Sequence, residues 1–195
     1  MSKVINSMFS LEGIDGAGKS TQLPLIAAHL QKLGILVQTV ASPSNGVRGQ
    51  YLRQHVRELN SATRNKLFLE DMVASLQMVP EENNLVILWD RYIDSFYASN
   101  REMTKEEANQ LTKELPKPKL TFLLEIGPEY IFSERRQAIN HHSDPEWLNL
   151  KVARYQELAA DEPNRFVVIN ARQPIVVITE KIVSLILNNY MSPST

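Results

Sequence analysis

Three of the chain's seven glycines, Gly13, Gly16 and Gly18, fall within six residues and lead directly into Lys19 and Ser20. Glycine reaches backbone angles closed to other residues and leaves room for an oxygen to approach the main-chain amides. The stretch follows a short apolar run, "MFSLE" at 8–12. It precedes a helical stripe of Leu23, Ile26, Ala27, Leu30 and Leu33, which Gly34 stops. Between a strand and a helix, inward-pointing N–H groups and the positive helix end form an anion nest. The spacing G-x4-G-K-[ST] places the Lys19 charge at β/γ-phosphates and the Ser20 hydroxyl on Mg²⁺. The expected ligand is therefore ATP with magnesium, its phosphates surrounded by Gly13, Ile14, Asp15, Gly16, Ala17, Gly18, Lys19, Ser20 and Thr21. The competing reading, a glycine-rich turn without a ligand, does not explain the lysine and hydroxyl at this spacing.

Four further runs have strand length and composition: "ILVQTV" (35–40), "LVILW" (85–89), "LTFLLEI" (120–126) and "RFVVIN" (165–170). Helical patterns alternate with them. Residues 62–79 read as one helix, and Ile175, Ile178, Ile182, Leu185 and Ile186 stripe a last one behind Pro174. Pro24 removes an amide from the first helix and predicts a bend there. Alternation of this kind predicts an α/β fold: a five-stranded parallel sheet with helices on both faces, a three-layer sandwich of the P-loop NTPase type. One kinase-type domain over 1–195 is expected, with a short flexible lid at about 135–147, where "RRQAINHHSDPEW" is polar and poorly periodic. His141 and His142 are adjacent, a poor arrangement for sharing a metal.

Such sheets bind ligands beyond the carboxyl ends of their strands. Asp90 follows an apolar strand, where a carboxylate would hold the magnesium shell together with Ser20; the alternative is a helix N-cap. Arg91 enters the same crevice, and a guanidinium there can bridge two phosphates or merely form a surface ion pair. Glu12 either faces the crevice or anchors the loop. Arg135 and Arg136 begin the lid and would close over the triphosphate, excluding water; the alternative is a solvated helix face.

Composition excludes several other classes. The chain has 195 residues, no cysteine and a formal net charge of -1. Disulfides and thiolate metal sites are ruled out, and no general basic field exists for nucleic acid. No secretory signal and no run long enough for a membrane span is visible. A cytoplasmic protein without nucleic-acid or membrane partners is expected.

The strings "FSLEGIDGAGKSTQ", "LVILWDRYIDS", "ARYQELA" and "FVVINA" occur in that order over about residues 8–185. Together they resemble the thymidylate kinase family. The resemblance implies transfer of the γ-phosphoryl group of ATP to a nucleoside monophosphate, normally dTMP, giving dTDP for dTTP biosynthesis. It implies catalytic roles for Lys19, Asp15, Arg91, Arg135 and Arg136. For the acceptor it implies Asp15 beside the sugar and phosphate and Phe68 stacked on the base; Arg91 and Ser95 belong to the same set. It also implies a homodimer through the helices near 50–80.

The likeness departs at several positions. After the second strand the chain reads Ala41-Ser42-Pro43-Ser44-Asn45, lacking the family's arginine, so Arg48 or Arg53 is expected to take its place. Met72 stands where an arginine usually reads the thymine edge, and a thioether cannot donate that bond. Ser99 replaces a tyrosine, with Tyr97 as the nearest substitute, and Asp144-Pro145 replaces an aspartate-arginine pair. Ala17 occupies a loop position held by arginine in one subtype, leaving the lid to supply that charge. These departures keep other readings open: a nucleoside monophosphate kinase with changed base preference, a deoxynucleoside kinase with Glu12 as base, or a nucleotide-binding protein impaired in catalysis.

Overall fold

The computed structural model describes residues 7–80, 82, 84–130 and 144–190. Five strands form one sheet: β1 (Met8–Glu12), β2 (Leu36–Ala41), β3 (Leu85–Asp90), β4 (Leu120–Glu125) and β5 (Phe166–Asn170). Their spatial order is β2-β3-β1-β4-β5, and every neighbouring pair is parallel. The strand carrying the glycine loop is thus central. Seven helices are described: α1 (Lys19–Lys32), α2 (Val47–His55), α3 (Ser61–Gln77), α4 (Ile93–Ala98), α5 (Lys105–Thr112), α6 (Pro145–Asp161) and α7 (Ile175–Tyr190).

Alternation along the strands builds two cores. Phe9, Leu11, Val86, Leu88, Phe122 and Leu124 point to one face and pack on Ile26 and Leu30 of α1 and Ile178 and Ile182 of α7. Met8, Ile87, Trp89 and Leu123 point to the other, against Met72 of α3, Phe96 of α4 and Tyr155 of α6. Both faces are covered, as the three-layer expectation requires. On the second face the same parity places Ser10, Glu12 and Thr121 among apolar neighbours, where each is buried.

The five strands and the helix read over 62–79 fall within one or two residues of the sequence reading. Asn60 caps α3, its side chain accepting the Thr63 amide at 2.9 Å, so this helix starts and ends slightly earlier than 62–79. Two stripe residues face outward: Leu33 and Ile175 are each 54 % exposed. Both sit at helix ends, where the burying face has already rotated away. Helix α1 continues through Pro24. Of the expected lid, residues 135–143, including Arg135, Arg136 and both histidines, lie outside the described residues. Its last part is helical instead: the Asp144 carboxylate accepts the Glu146 amide at 3.0 Å and Pro145 opens α6.

Candidate active site

The loop after β1 is closed by its own lysine. Lys19 Nζ donates to the carbonyls of Gly13 and Ile14, both at 2.9 Å. Gly13, Gly16 and Gly18 all have positive φ. At Gly13 (φ 136°) a Cβ would lie 2.5 Å from the Leu124 carbonyl oxygen of β4, so no side chain fits. Burial, and then the Arg91 charge, lowers the Lys19 ammonium to about 7. Ile14 takes part through its backbone only, since its side chain is buried in the first core.

Arg91 is the one described non-glycine residue with positive φ, 65°. That conformation is strained for an L-residue and persists only where neighbours enforce it. The enforcement is visible. The Arg91 amide donates to the Leu11 carbonyl at 3.1 Å, and the next amide, Tyr92, donates to the Glu12 carboxylate at 2.7 Å. The turn sends the guanidinium back over the loop, where Nη1 donates to the Gly13 carbonyl at 3.0 Å and Nη2 pairs with Asp15 at 2.7 Å. Burial opposes ionisation of Asp15, but Arg91 foremost, then Lys151 and Lys19, hold its carboxyl down at about 2.

Glu12 resolves to an anchor. It is fully buried and accepts from the Tyr92 amide, Ser95 Oγ at 2.5 Å and Tyr155 Oη at 3.0 Å. Its lone pairs are committed to the β3–α4 turn and to Tyr155 of α6, which leaves it a poor general base. Burial, followed by the Asp94 charge, raises its carboxyl to about 7.

Two cavities flank the loop. The larger, about 630 Å³, lies beyond β1, β2 and β3. Asp15, Arg91 and Lys151 line the end next to the loop; Phe68, Met72 and Asn100 line the other. The smaller, about 270 Å³, lies beyond β1, β4 and β5, between Gly16–Gln22 on one side and Tyr130 and Arg172 on the other. The Arg172 guanidinium sits 4.8 Å from the Tyr130 ring centre there.

For magnesium, Asp90 Oδ1 is a buried carboxylate oxygen without a hydrogen-bond partner, and Ser20 stands exposed in the first turn of α1. Among the described residues no group of three or more His, Asp or Glu could hold a metal alone. A cation that arrives coordinated by a triphosphate fits this pair.

The expected residues gather unevenly. Phe68, Met72, Ser95, Ser99 and Arg91 line the larger cavity with Asp15, and Thr21 lines the smaller. Arg48 does not line the larger cavity: its guanidinium pairs with Glu70 of α3 at 3.4 Å, which turns it away. Arg53 is committed to the Pro43 and Ser44 carbonyls. Tyr97 is likewise outside, its hydroxyl donating to Glu157 at 2.8 Å beneath Arg154. Sequence reasoning missed Lys151 and Trp147, both lining the larger cavity. The signal was present in "EWLNLKVARY", where Trp147, Lys151 and Tyr155 recur every four residues along one helix face.

Known proteins resemble this chain over most of its length. A family model described as thymidylate kinase matches residues 11–182. A protein of Bifidobacterium longum subsp. infantis called thymidylate kinase is 31 % identical over 185 residues, covering 85 % of this chain and 79 % of that protein. One of Desulfotalea psychrophila with the same name is 34 % identical over 160 residues, covering 76 % and 79 %. A probable thymidylate kinase of Archaeoglobus fulgidus is 28 % identical over 183 residues, covering 90 % and 92 %.

Proposed function

The chain belongs to the thymidylate kinase family, and we propose that it is an ATP-dependent nucleoside monophosphate kinase converting dTMP to dTDP. The observation that carries this reading is the position of the glycine loop between two cavities. Transfer between two nucleotides requires two base-sized spaces meeting at one phosphate site.

In this reading the triphosphate lies on the amides of residues 13–20 with its base in the smaller cavity. The monophosphate occupies the larger, with its base against Phe68 and its phosphate toward Arg91. An acceptor phosphate oxygen attacks the γ-phosphorus as the bond to the β-bridging oxygen breaks, and ADP leaves with that electron pair. A phosphate monoester is mostly dianionic near neutral pH, so no general base is needed. Catalysis then consists of alignment and charge neutralisation. Lys19 serves the β- and γ-oxygens. Arg91, rigidly aimed by the Glu12-anchored turn, neutralises charge between donor and acceptor. Ser20 and Asp90 would hold magnesium, which would supply further charge neutralisation. Asp15 keeps Arg91 and Lys151 in place and lies near the acceptor sugar.

Homodimerisation through α2 and α3 belongs to the same reading and is supported by exposed Val47, Tyr51 and Val73 on those helices. So does a cytoplasmic location; no described helix is long and apolar enough to cross a membrane.

The test is ADP release from ATP and Mg²⁺ with a panel of nucleosides and monophosphates. Stimulation by dTMP is the expected result. Phosphorylation of thymidine but not dTMP, or ATP binding without acceptor turnover, overturns the proposal.

A further inference from the structure

Lys151 is a buried cation with too little negative charge around it. Its side chain is 11 % exposed, on the wall of the larger cavity. Among the described residues its one ion-pair partner is Asp15, whose Oδ2 lies 3.4 Å from Nζ. That carboxylate is already engaged at 2.7 Å by Arg91 and is itself 60 % exposed. One negative charge therefore serves two cations. Burying an ammonium on those terms is costly unless another anion completes the site.

The surroundings narrow what that anion is. Trp147, one turn earlier on α6, lies beneath the ammonium with its ring centre 5.3 Å away. Lys151 lines the cavity beside the glycine loop, where it meets Asp15, and Phe68 and Met72 line the same cavity. A ligand whose base stacks on Phe68 with its 5′ substituent toward the loop therefore presents that substituent to Lys151. Of the arginines after β2, Arg48 is paired with Glu70 and Arg53 with backbone carbonyls, while Arg57 is exposed and lines the same cavity.

We propose that Lys151 binds the phosphate of the nucleoside monophosphate acceptor together with Arg91, so that helix α6 supplies a cation to the acceptor site. This rests on the acceptor reading of the larger cavity. Contact with the phosphate is made equally before and during transfer, so its loss acts mainly on KM.

The experiment compares binding of dTMP and thymidine, two ligands that differ by the phosphate alone, to the wild-type protein and to Lys151→Met, by calorimetry. Thymidine affinity is expected to be unchanged. The dTMP affinity is expected to fall about tenfold or more, the range for losing a charged hydrogen bond. In turnover the KM for dTMP rises by a similar factor, with kcat and the KM for ATP within about twofold, and Lys151→Arg recovers most of the loss. If Lys151→Met does not fold, Lys151→Gln gives the same comparison. Equal weakening of both ligands, or no weakening of dTMP, overturns the assignment. Failure of the wild-type protein to turn over dTMP would instead overturn the function, and the binding comparison distinguishes the two.

Discussion

The Glu12 carboxylate accepts the Tyr92 amide at 2.7 Å, tying the end of β1 to the turn after β3 across 80 residues of chain. Through this bond a buried acid in one strand fixes the backbone that aims Arg91 from the next. The burial that makes the anchor rigid also raises its carboxyl from 4.5 to about 7, with the Asp94 charge adding to the shift. The folded state therefore holds a proton on Glu12 that the unfolded chain releases near 4.5. The Glu12 contribution to stability falls as pH rises from about 4.5 to about 7 and is constant above. Glu12→Gln removes this titration. The difference in unfolding free energy between wild type and variant is expected to shrink by roughly 3 kcal/mol over that window, measured by urea denaturation at several pH values. A difference independent of pH would show that Glu12 is not the titrating group.

In the proposed reading, Lys19 is a functional cation kept at the expense of stability. Its ammonium is buried, held by two carbonyl oxygens in place of a carboxylate. Lys19→Met keeps the stem and removes the charge. Transfer is expected to fall about 100- to 1,000-fold, the usual loss for one preorganised electrostatic contact. The thermal midpoint is expected to stay level or rise, because an ammonium is no longer buried. Steady-state ADP release and a melting curve on the same sample check both parts; retained activity contradicts the role.

Local features of the fold and the donor loop were legible in the sequence, and features depending on distant partners were not. The five strands and the loop at 13–20 are written as contiguous patterns, so periodicity and glycine spacing suffice. The fates of Arg48 and Tyr97 were decided by Glu70 and Glu157, which no local pattern announces. Glu12 was ambiguous for the same reason: its donors come from residues 92, 95 and 155. Lys151 escaped notice because its motif, a four-residue recurrence on α6, has meaning only once Asp15 is known to lie opposite. Met72 and Phe68 were found through resemblance, and the cavity contains both.

In the proposed reading, Phe68 separates acceptor recognition from donor recognition. It is half-buried on α3 and lines the larger cavity only. Stacking on an aromatic face is worth about 1–3 kcal/mol per base. Phe68→Ala is therefore expected to weaken dTMP binding by about five- to 150-fold while leaving ATP binding within twofold. Phe68→Trp, which preserves a stacking face, should retain most of the affinity. Titration calorimetry with each nucleotide decides it: equal loss for both would mark Phe68 as a general packing residue.

Arg165 and Asp94 form a buried pair on the second face of the sheet, away from the glycine loop. Arg165 donates to both Asp94 oxygens at 2.7 and 2.8 Å and to Thr121 at 2.8 Å. Thr121 in turn donates to Asp94 at 3.0 Å and bonds Ser10 at 2.9 Å. Glu162, half-exposed, accepts from Arg165 at 2.8 and 3.0 Å. Removing one partner of such a pair leaves the other charge uncompensated, whereas removing both leaves only polar groups to satisfy. Arg165→Met is accordingly expected to destabilise the fold by about 3–5 kcal/mol. The double variant Asp94→Asn/Arg165→Met should recover at least half of that. Urea denaturation at constant pH gives both values, and a double variant no more stable than Arg165→Met would mean that Arg165 acts through packing against Phe166, 4.6 Å from its guanidinium, rather than through charge.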